Sequence, residues 1–210
     1  MDNYDDDPRW ARADYRVKEN WPRSAAGSII LTGYVFQTDG RISNMSNVLV
    51  GIIMGSDSDL GVMRGAAEVL DELGVPREMT IASAHRTPRR VIDYVESARG
   101  RGLKVIIAGA GGAAHLAGVA AAFTPLPIIG VPVKSASLSG QDSLLSMVQM
   151  PPGVPVATVA IDGARNAGIL AAQIIATGDP ALMDRLVRFK QDLETAVLAK
   201  AQRLSSGEMG

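Results

Sequence analysis

The chain has no cysteine among its 210 residues and only two histidines. The absence of cysteine excludes disulfides, thiolate catalysis, iron–sulfur clusters and zinc sites with cysteine ligands. With two histidines, a multi-histidine metal site within one chain is not expected either. The sequence therefore predicts chemistry that uses neither a thiol nor a metal ion, and we expect no cofactor.

Charge of one sign and long apolar runs are also scarce. The net charge is −1, so no basic face is predicted and nucleic acid is not an expected partner. Charged residues and glycines interrupt every apolar run before it reaches membrane-spanning length. The N-terminus lacks the basic-then-apolar pattern of a signal peptide. These features predict a cytoplasmic protein that does not associate with membranes.

Aromatic residues make up only 4% of the chain, although apolar residues make up 47%. The apolar excess is Ala, Val, Ile and Leu, which suits buried parallel strands alternating with closely packed helices. Helical patterns separate the predicted strands, which lie at 48–54, 79–82, 105–108, 127–131 and 154–161. This alternation predicts an α/β fold: a three-layer, doubly wound, flavodoxin-like sandwich. Its five-stranded parallel sheet has the order 2-1-3-4-5, and a C-terminal helix begins at Pro180.

The N-terminal segment departs from this regular pattern. Four aspartates lie within its first seven residues, and both tryptophans of the chain precede residue 22. We interpret 1–46 as a partly disordered extension, with one short unpaired strand at 29–36. The alternative is an arm that packs on a neighbouring subunit. The catalytic domain is predicted at 47–204, and 205–210 is expected to be a flexible tail.

Three loops rich in glycine or polar residues follow the first three predicted strands. They lie at 55–59, 83–88 and 109–112. In doubly wound sheets the ligand binds beyond the carboxyl ends of the strands, beside the point where the strand order reverses. The predicted topology therefore gathers the three loops into one site.

The first loop, Gly55–Asp59, contains one glycine, two serines and two aspartates. Glycine permits a close backbone approach, and the Ser56 hydroxyl with the free N–H groups of a helix start can bind a phosphate. Asp59 is a good acceptor for ribose hydroxyls. The alternative is that Asp57, Ser58 and Asp59 only cap the following helix.

The second loop, Ser83–Pro88, places a hydroxyl, an imidazole and a guanidinium within four residues. Arg86 can hold a phosphate bidentately, and Ser83 can add a hydroxyl. An imidazole is the side chain best suited to proton transfer at neutral pH, so His85 is the natural proton donor or acceptor. The alternative is a loop histidine held in a structural hydrogen bond.

The third loop, Gly109–Gly112, resembles a dinucleotide-binding loop, but Ala114 stands where the third glycine of that fingerprint belongs. We interpret this loop as close backbone contact with a flat ring. His115 is predicted in the first turn of a helix over 113–122. The helix dipole there disfavours a charged imidazole, so a positioning role is predicted for it.

A polar loop at 134–141 either closes over the ligand or is a solvated surface loop. The sequence has no Walker loop, no carboxylate cluster suited to magnesium and no nucleophile elbow. The residues alone therefore predict an enzyme that transfers protons on a small phosphorylated ligand and uses no cofactor.

The same motifs occur together, and in the same order, in a known family. The shared segments are Gly55–Asp59, Ser83–Pro88, Gly109–Leu116, Gly130–Val133 and Ser139–Leu144. Over about residues 48–198 the chain resembles the N5-carboxyaminoimidazole ribonucleotide mutases of purine biosynthesis, the bacterial PurE type.

The resemblance implies an isomerase that converts N5-carboxyaminoimidazole ribonucleotide to 4-carboxy-5-aminoimidazole ribonucleotide by decarboxylation and recarboxylation. His85 matches the family's general acid/base. Homo-oligomers, typically octamers, are also implied. By motif, the substrate-binding positions are Ser56, Asp59, Ser83, Arg86, Gly111, Ala114, His115 and Leu116.

Two alternatives remain beside this resemblance. The close one is the related carboxylase, which takes free carbon dioxide and aminoimidazole ribonucleotide. The mutase is favoured by the sequence of the Ser83–Pro88 motif and by the lack of a fused synthetase domain. The distant alternative is a non-catalytic, flavodoxin-like module that binds a phosphoribosyl ligand.

Overall fold

The computed structural model describes residues 34–36, 42–44 and 48–207, and the chain divides into the units Met1–Asn44 and Met45–Gly210. In the first unit, β1 (Tyr34–Phe36) pairs antiparallel with β2 (Ile42–Asn44). Residues 34–36 of the strand predicted over 29–36 therefore have a partner, and the expectation of an unpaired strand is wrong. The disorder expected for the rest of 1–46 falls mostly outside the described residues.

The second unit is built on a five-stranded parallel sheet. The strands are β3 (Val50–Met54), β4 (Arg77–Ile81), β5 (Val105–Gly111), β6 (Ile128–Val133) and β7 (Ala157–Thr158). They lie in the order β4-β3-β5-β6-β7, which is the predicted order 2-1-3-4-5. β3 and β6 are buried along their whole length because helices cover both faces of the sheet.

Six helices flank this sheet. They are α1 (Leu60–Glu72), α2 (Pro88–Ala98), α3 (Leu116–Ala122), α4 (Gln141–Val148), α5 (Ala164–Ala176) and α6 (Pro180–Ser205). Residues of α1, α5 and α6 share one hydrophobic core with one face of the sheet, and residues of α2, α3 and α4 share a second core with the other face. Neighbours in a strand separate accordingly: Ile52 joins the first core and Ile53 the second. The three-layer sandwich and its C-terminal helix are confirmed.

Small residues let helices and sheet approach closely. A Cβ at Gly168 of α5 would lie 2.4 Å from Val69 Cγ1 of α1. A Cβ at Gly109 would lie 2.3 Å from Met63 Sδ. Gly109 therefore belongs to the buried part of β5 and makes room for α1, whereas the sequence placed it in a ligand-binding loop.

The ends of several elements differ from prediction for local reasons. β7 has two residues rather than eight, because Pro155 has no amide to donate and the chain leaves the sheet after Val159 N bonds Gly130 O. The strand predicted over 127–131 continues through Pro132 to Val133. Gly140, at φ 93°, is the N-cap of α4.

The C-terminal helix continues beyond the predicted catalytic domain. α6 ends at Ser205, one residue inside the expected flexible tail, and a turn follows to residue 207. Residues 208–210 lie outside the described part of the chain. Within the described residues, no helix has both the length and the apolar character that a membrane-spanning segment requires.

Candidate active site

A cavity of about 400 Å³ lies at the carboxyl ends of β3, β4, β5 and β6. Every residue predicted for the site lines this cavity except Ala114, which is fully buried in the second core. The turn after β6 adds Lys134 and Ser135 to the wall. The predicted convergence of the three loops is therefore found in the structure.

The Gly55–Asp59 loop forms one 3-10 turn over Asp57–Asp59 with Ser56 at its N-cap. The Ser56 N–H donates to Asp59 Oδ2 (3.1 Å), and the Ser58 N–H donates to Ser56 Oγ (3.4 Å). These reciprocal bonds between Ser56 and Asp59 are a capping box for the 3-10 turn, whereas Asp59 makes no side-chain cap bond to α1. Ser56, Ser58 and Asp59 also line the cavity, so capping orders the groups that a ligand would meet.

The two aspartates of this turn have opposite electrostatic environments. Asp59 is only 7% exposed, and burial raises the pKa of its carboxyl, although the N–H of Ser56 opposes the shift. The Ser56 hydroxyl donates to Asp57 (2.8 Å) and lowers the pKa of that exposed carboxyl. Asp59 is thus a largely buried acceptor at the cavity wall, which suits neutral hydroxyl donors better than an anion.

The Ser83–Pro88 loop is closed by its own hydrogen bonds. The Ser83 N–H donates to Thr87 Oγ1, and the Thr87 N–H donates to the Ser83 carbonyl, both at 2.9 Å. Ser83 Oγ accepts from the Arg86 N–H (3.2 Å) and, more weakly, from Arg86 Nε (3.4 Å). These bonds fix the loop in a conformation that leaves His85 exposed at the cavity.

Arg86 links the second loop to the first. Its Nη2 donates to the Gly55 carbonyl at 2.6 Å. A guanidinium has five N–H donors, and the bonds to Gly55 and Ser83 leave others for an anionic group in the cavity. Arg86 is therefore both a brace between two loops and a candidate anion ligand.

The two histidines of the chain meet in the cavity wall. His85 Nε2 and His115 Nδ1 are 2.8 Å apart, and the rings lie edge to face at 89°. The bond needs a bare nitrogen on one ring, so at most one of the two imidazoles carries an extra proton. Sequence reasoning treated the residues separately and missed this contact, although both follow the ends of strands flanking β3.

His115 also differs in its helical position from prediction. It is the N-cap of α3, which begins at Leu116, because Gly112 adopts a left-handed φ of 65° and turns the chain first. The ring therefore extends from the helix boundary toward the loop after β4 rather than from the first helical turn. This placement makes His115 a hydrogen-bond partner of His85.

Ser143, a residue not predicted for the site, fixes the position of Gly112 in the cavity wall. Its hydroxyl donates to the Val133 carbonyl (2.7 Å) and accepts from the Gly112 N–H (2.8 Å), and the side chain is fully buried. It thereby ties the loop after β5 to the end of β6. The Ser139–Leu144 motif was the available sequence signal, but nothing in it showed which backbone groups Ser143 would bind.

The AIR carboxylase family model matches residues 49–196 of the chain. An N5-carboxyaminoimidazole ribonucleotide mutase of Synechocystis is 59% identical over 156 residues, covering 74% of this chain and 89% of that enzyme. The mutase of Pyrococcus horikoshii is 59% identical over 162 residues, covering 77% and 90%. A phosphoribosylaminoimidazole carboxylase of Schizosaccharomyces pombe is 61% identical over 156 residues, covering 74% of this chain and 28% of that enzyme.

Among solved structures, the crystal structure of Treponema denticola PurE matches with a TM-score of 0.68 and 28% identity. The match covers 74% of this chain and 98% of that one. The family match spans the sheet, both cores and every loop of the cavity.

Proposed function

The chain belongs to the AIR carboxylase family, and from this membership we propose that it is an N5-carboxyaminoimidazole ribonucleotide mutase of purine biosynthesis. The reaction is the isomerisation of N5-carboxyaminoimidazole ribonucleotide to 4-carboxy-5-aminoimidazole ribonucleotide. The observation that carries the proposal is the histidine pair, 2.8 Å apart, in a cavity between loops suited to phosphate and ribose.

Two relatives that match over 89% and 90% of their length are named as mutases, and this supports the mutase over the carboxylase. The carboxylase relative has comparable identity and matches over 28% of its length. A non-catalytic binding module is not favoured, because these relatives are named as enzymes and two bonded imidazoles line the cavity.

In this mechanism His85 acts twice. It protonates the exocyclic nitrogen as the nitrogen–carbon bond breaks and carbon dioxide leaves. The ring carbon then attacks the trapped carbon dioxide, and His85 accepts the proton from that carbon. His115, bonded to His85, orients the ring for both transfers. Carbon dioxide must remain in a closed, dry site between the two steps.

The other positions divide by the part of the substrate that they meet. Arg86, Ser83 and Ser56 bind the phosphate, and Asp59 accepts from ribose hydroxyls. The hydrogen bond from Arg86 to Gly55 supports the phosphate role, because it brings the guanidinium beside the first loop. The base pocket is formed by Gly111, His115 and Leu116, and Ala114 packs in the core behind them.

The active protein is a homo-octamer in the cytoplasm. Apolar side chains on the surface of α6 support an assembly, since a face of this kind is normally covered in a folded protein. Val197 and Leu204 are 64% and 65% exposed, and Leu193 and Leu198 are more than half exposed. Sedimentation velocity should give about eight times the chain mass of 22.1 kDa; a monomer would contradict the assembly.

The catalytic domain comprises residues 47–204, and 1–46 is an extension that takes no part in catalysis. The proposed boundary agrees with the division of the chain after Asn44. Removal of 1–46 should therefore leave kcat and KM for the nucleotide unchanged. A large loss of turnover with an unchanged oligomeric state would contradict it.

The reaction is tested by supplying each nucleotide to the full chain in buffer freed of bicarbonate. N5-carboxyaminoimidazole ribonucleotide alone should give product, because it brings its own carboxyl group. Aminoimidazole ribonucleotide alone should give none. If product formed only from aminoimidazole ribonucleotide with added bicarbonate, the carboxylase would be the correct assignment.

A further inference from the structure

The cavity contains a second basic side chain that the proposed function leaves without a role. Arg86 follows β4, and Lys134 follows β6. The sheet order β4-β3-β5-β6 separates these strands by three steps, or on the order of 14 Å along the edge. The two basic residues therefore lie on opposite sides of the cavity, and the loops that carry the two histidines follow β4 and β5.

We propose that Lys134 is a substrate-binding residue whose ammonium recognises the carboxylate that the enzyme transfers. This inference rests on the proposed mutase function. The nucleotide has a phosphate at one end and a carboxylate on the aminoimidazole at the other. If Arg86 holds the phosphate, the base extends along the sheet edge and its carboxylate reaches the side where Lys134 lies.

The backbone of Lys134 is fixed in place by a strained residue. Asp162 has a left-handed φ of 57°, which is unfavourable for a residue with a Cβ. Its N–H donates to the Pro132 carbonyl, and its Oδ1 accepts from the Lys134 N–H, both at 2.8 Å. Asp162 thus clamps both sides of Val133 and sets the point from which the Lys134 side chain begins.

The Asp162 carboxylate bonds the backbone N–H of Lys134 and leaves its ammonium without an ion pair in the described residues. By contrast, Arg77, Arg101 and Arg165 each pair with a carboxylate. The one carboxyl that lines the cavity is Asp59, which is engaged with Ser56 in the loop after β3. A carboxylate ligand would meet a cation that has no competing partner in this part of the chain.

A lysine suits a group that changes its attachment during the reaction. The carboxylate is bonded to nitrogen in the substrate and to carbon in the product, and it is neutral carbon dioxide between them. An ammonium is a compact charge on a flexible stem, so it can follow the group from one atom to the other. It attracts the carboxylate at both ends of the reaction more strongly than the neutral intermediate.

The test compares two ligands that differ only in the carboxylate. Isothermal titration measures the dissociation constants of 4-carboxy-5-aminoimidazole ribonucleotide and aminoimidazole ribonucleotide, in a His85→Asn background that prevents turnover. Adding Lys134→Met should weaken the carboxylated ligand about tenfold, the order expected for a charged hydrogen bond, and leave the other ligand unchanged. Lys104→Met is the matched control, because Lys104 is exposed beside the opposite edge of the sheet.

Arg86→Met should weaken both ligands, because both carry the phosphate. The inference is overturned if Lys134→Met weakens both ligands equally or neither of them, in protein with an unchanged circular dichroism spectrum. If the proposed mutase function itself is wrong, the experiment gives a different result. In that case the wild-type chain neither converts nor binds the nucleotides, whatever residue stands at position 134.

Discussion

Arginine side chains at the two edges of the parallel sheet have different bonding partners. At the amino edge, Arg77 forms a fork with Asp71, with distances of 2.6 and 3.0 Å, and Arg101 pairs with Glu78. At the carboxyl edge, Arg86 bonds only to neutral oxygens, and Lys134 has no ion pair within residues 48–207.

The difference separates stability from ligand binding. A cation paired within the protein contributes modestly to the fold and has little charge left for other partners. A cation bonded only to neutral groups keeps its charge for a ligand. Substitutions at the carboxyl edge should therefore change turnover more than stability, and substitutions at the amino edge should do the reverse.

The largest effect is expected for His85→Asn at the carboxyl edge. Asparagine is a hydrogen-bonding residue but cannot act as an acid or base near neutral pH, so kcat should fall roughly 10²- to 10⁴-fold. The free energy of unfolding should stay within about 0.5 kcal/mol of wild type, because His85 is exposed. His115→Asn should reduce kcat less, since that ring acts through His85. Near-wild-type turnover in the His85 variant would refute acid/base catalysis by this residue.

Ser143→Ala should combine both kinds of effect, because this buried hydroxyl belongs to the core and also supports the cavity wall. The variant leaves the Gly112 N–H and the Val133 carbonyl without their partner and should lower the free energy of unfolding by about 1–3 kcal/mol. Urea denaturation measures the loss, and kcat/KM should fall with it. Ser97→Ala is the control: Ser97 is exposed and bonds only its own helix. Equal stabilities of the two variants would contradict the role of Ser143.

Asp59→Asn tests the carboxyl edge through pH. Burial raises the folded-state pKa of Asp59, so the protonated carboxyl is the form that folding favours. Its stabilising contribution is complete below the unfolded pKa of about 3.9 and is lost as pH rises through the higher folded pKa. The asparagine variant should therefore gain stability relative to wild type from acid to neutral pH. The gain should be about 1.4 kcal/mol for each unit by which the pKa is raised.

Urea unfolding of both proteins across that range measures the difference. A constant difference, or a relative gain for the wild type as pH rises, would contradict the assigned direction.

The smallest effect is expected for Tyr94→Phe on the amino side of the sheet. The Tyr94 hydroxyl is buried and makes no hydrogen bond of good geometry in the described part of the chain. Burial, and then the nearby Glu78 carboxylate, raise the pKa of this hydroxyl, so its removal costs a weak polar contact at most. The ring contact with the Arg101 guanidinium, 4.8 Å from the ring centroid, is retained. The free energy of unfolding should change by less than about 1 kcal/mol, and turnover should be unchanged. A loss above 2 kcal/mol, about twice that bound, would show that the hydroxyl is bonded.

The arrangement of strands and loops was predictable because it depends on local patterns. Apolar runs separated by helical spacing determine the sheet order, and the order places the loops after β3, β4 and β5 together. Contacts between loops were not predictable. The bond between His85 and His115 depends on how two loops 30 residues apart turn after leaving the sheet.

The contribution of the loop after β6 to the cavity was predicted only in part. The sequence indicated a polar loop after β6, but only Lys134 and Ser135 of that loop line the cavity. The remainder follows the left-handed backbone at Ser139 and Gly140 into α4. No sequence pattern predicts a left-handed backbone conformation at a serine or an aspartate. The two hydrogen bonds by which Asp162 holds the Pro132 carbonyl and the Lys134 N–H could therefore be seen only in the structure.

The bond between the two imidazoles has a consequence for exchange with solvent. In the proposed reaction one proton passes from the pair to nitrogen, and one returns to the pair from carbon. The protonation state at the end of a cycle therefore equals that at the start. No buffer molecule has to enter to reset the enzyme, and the turnover rate should not depend on buffer concentration at constant pH and ionic strength.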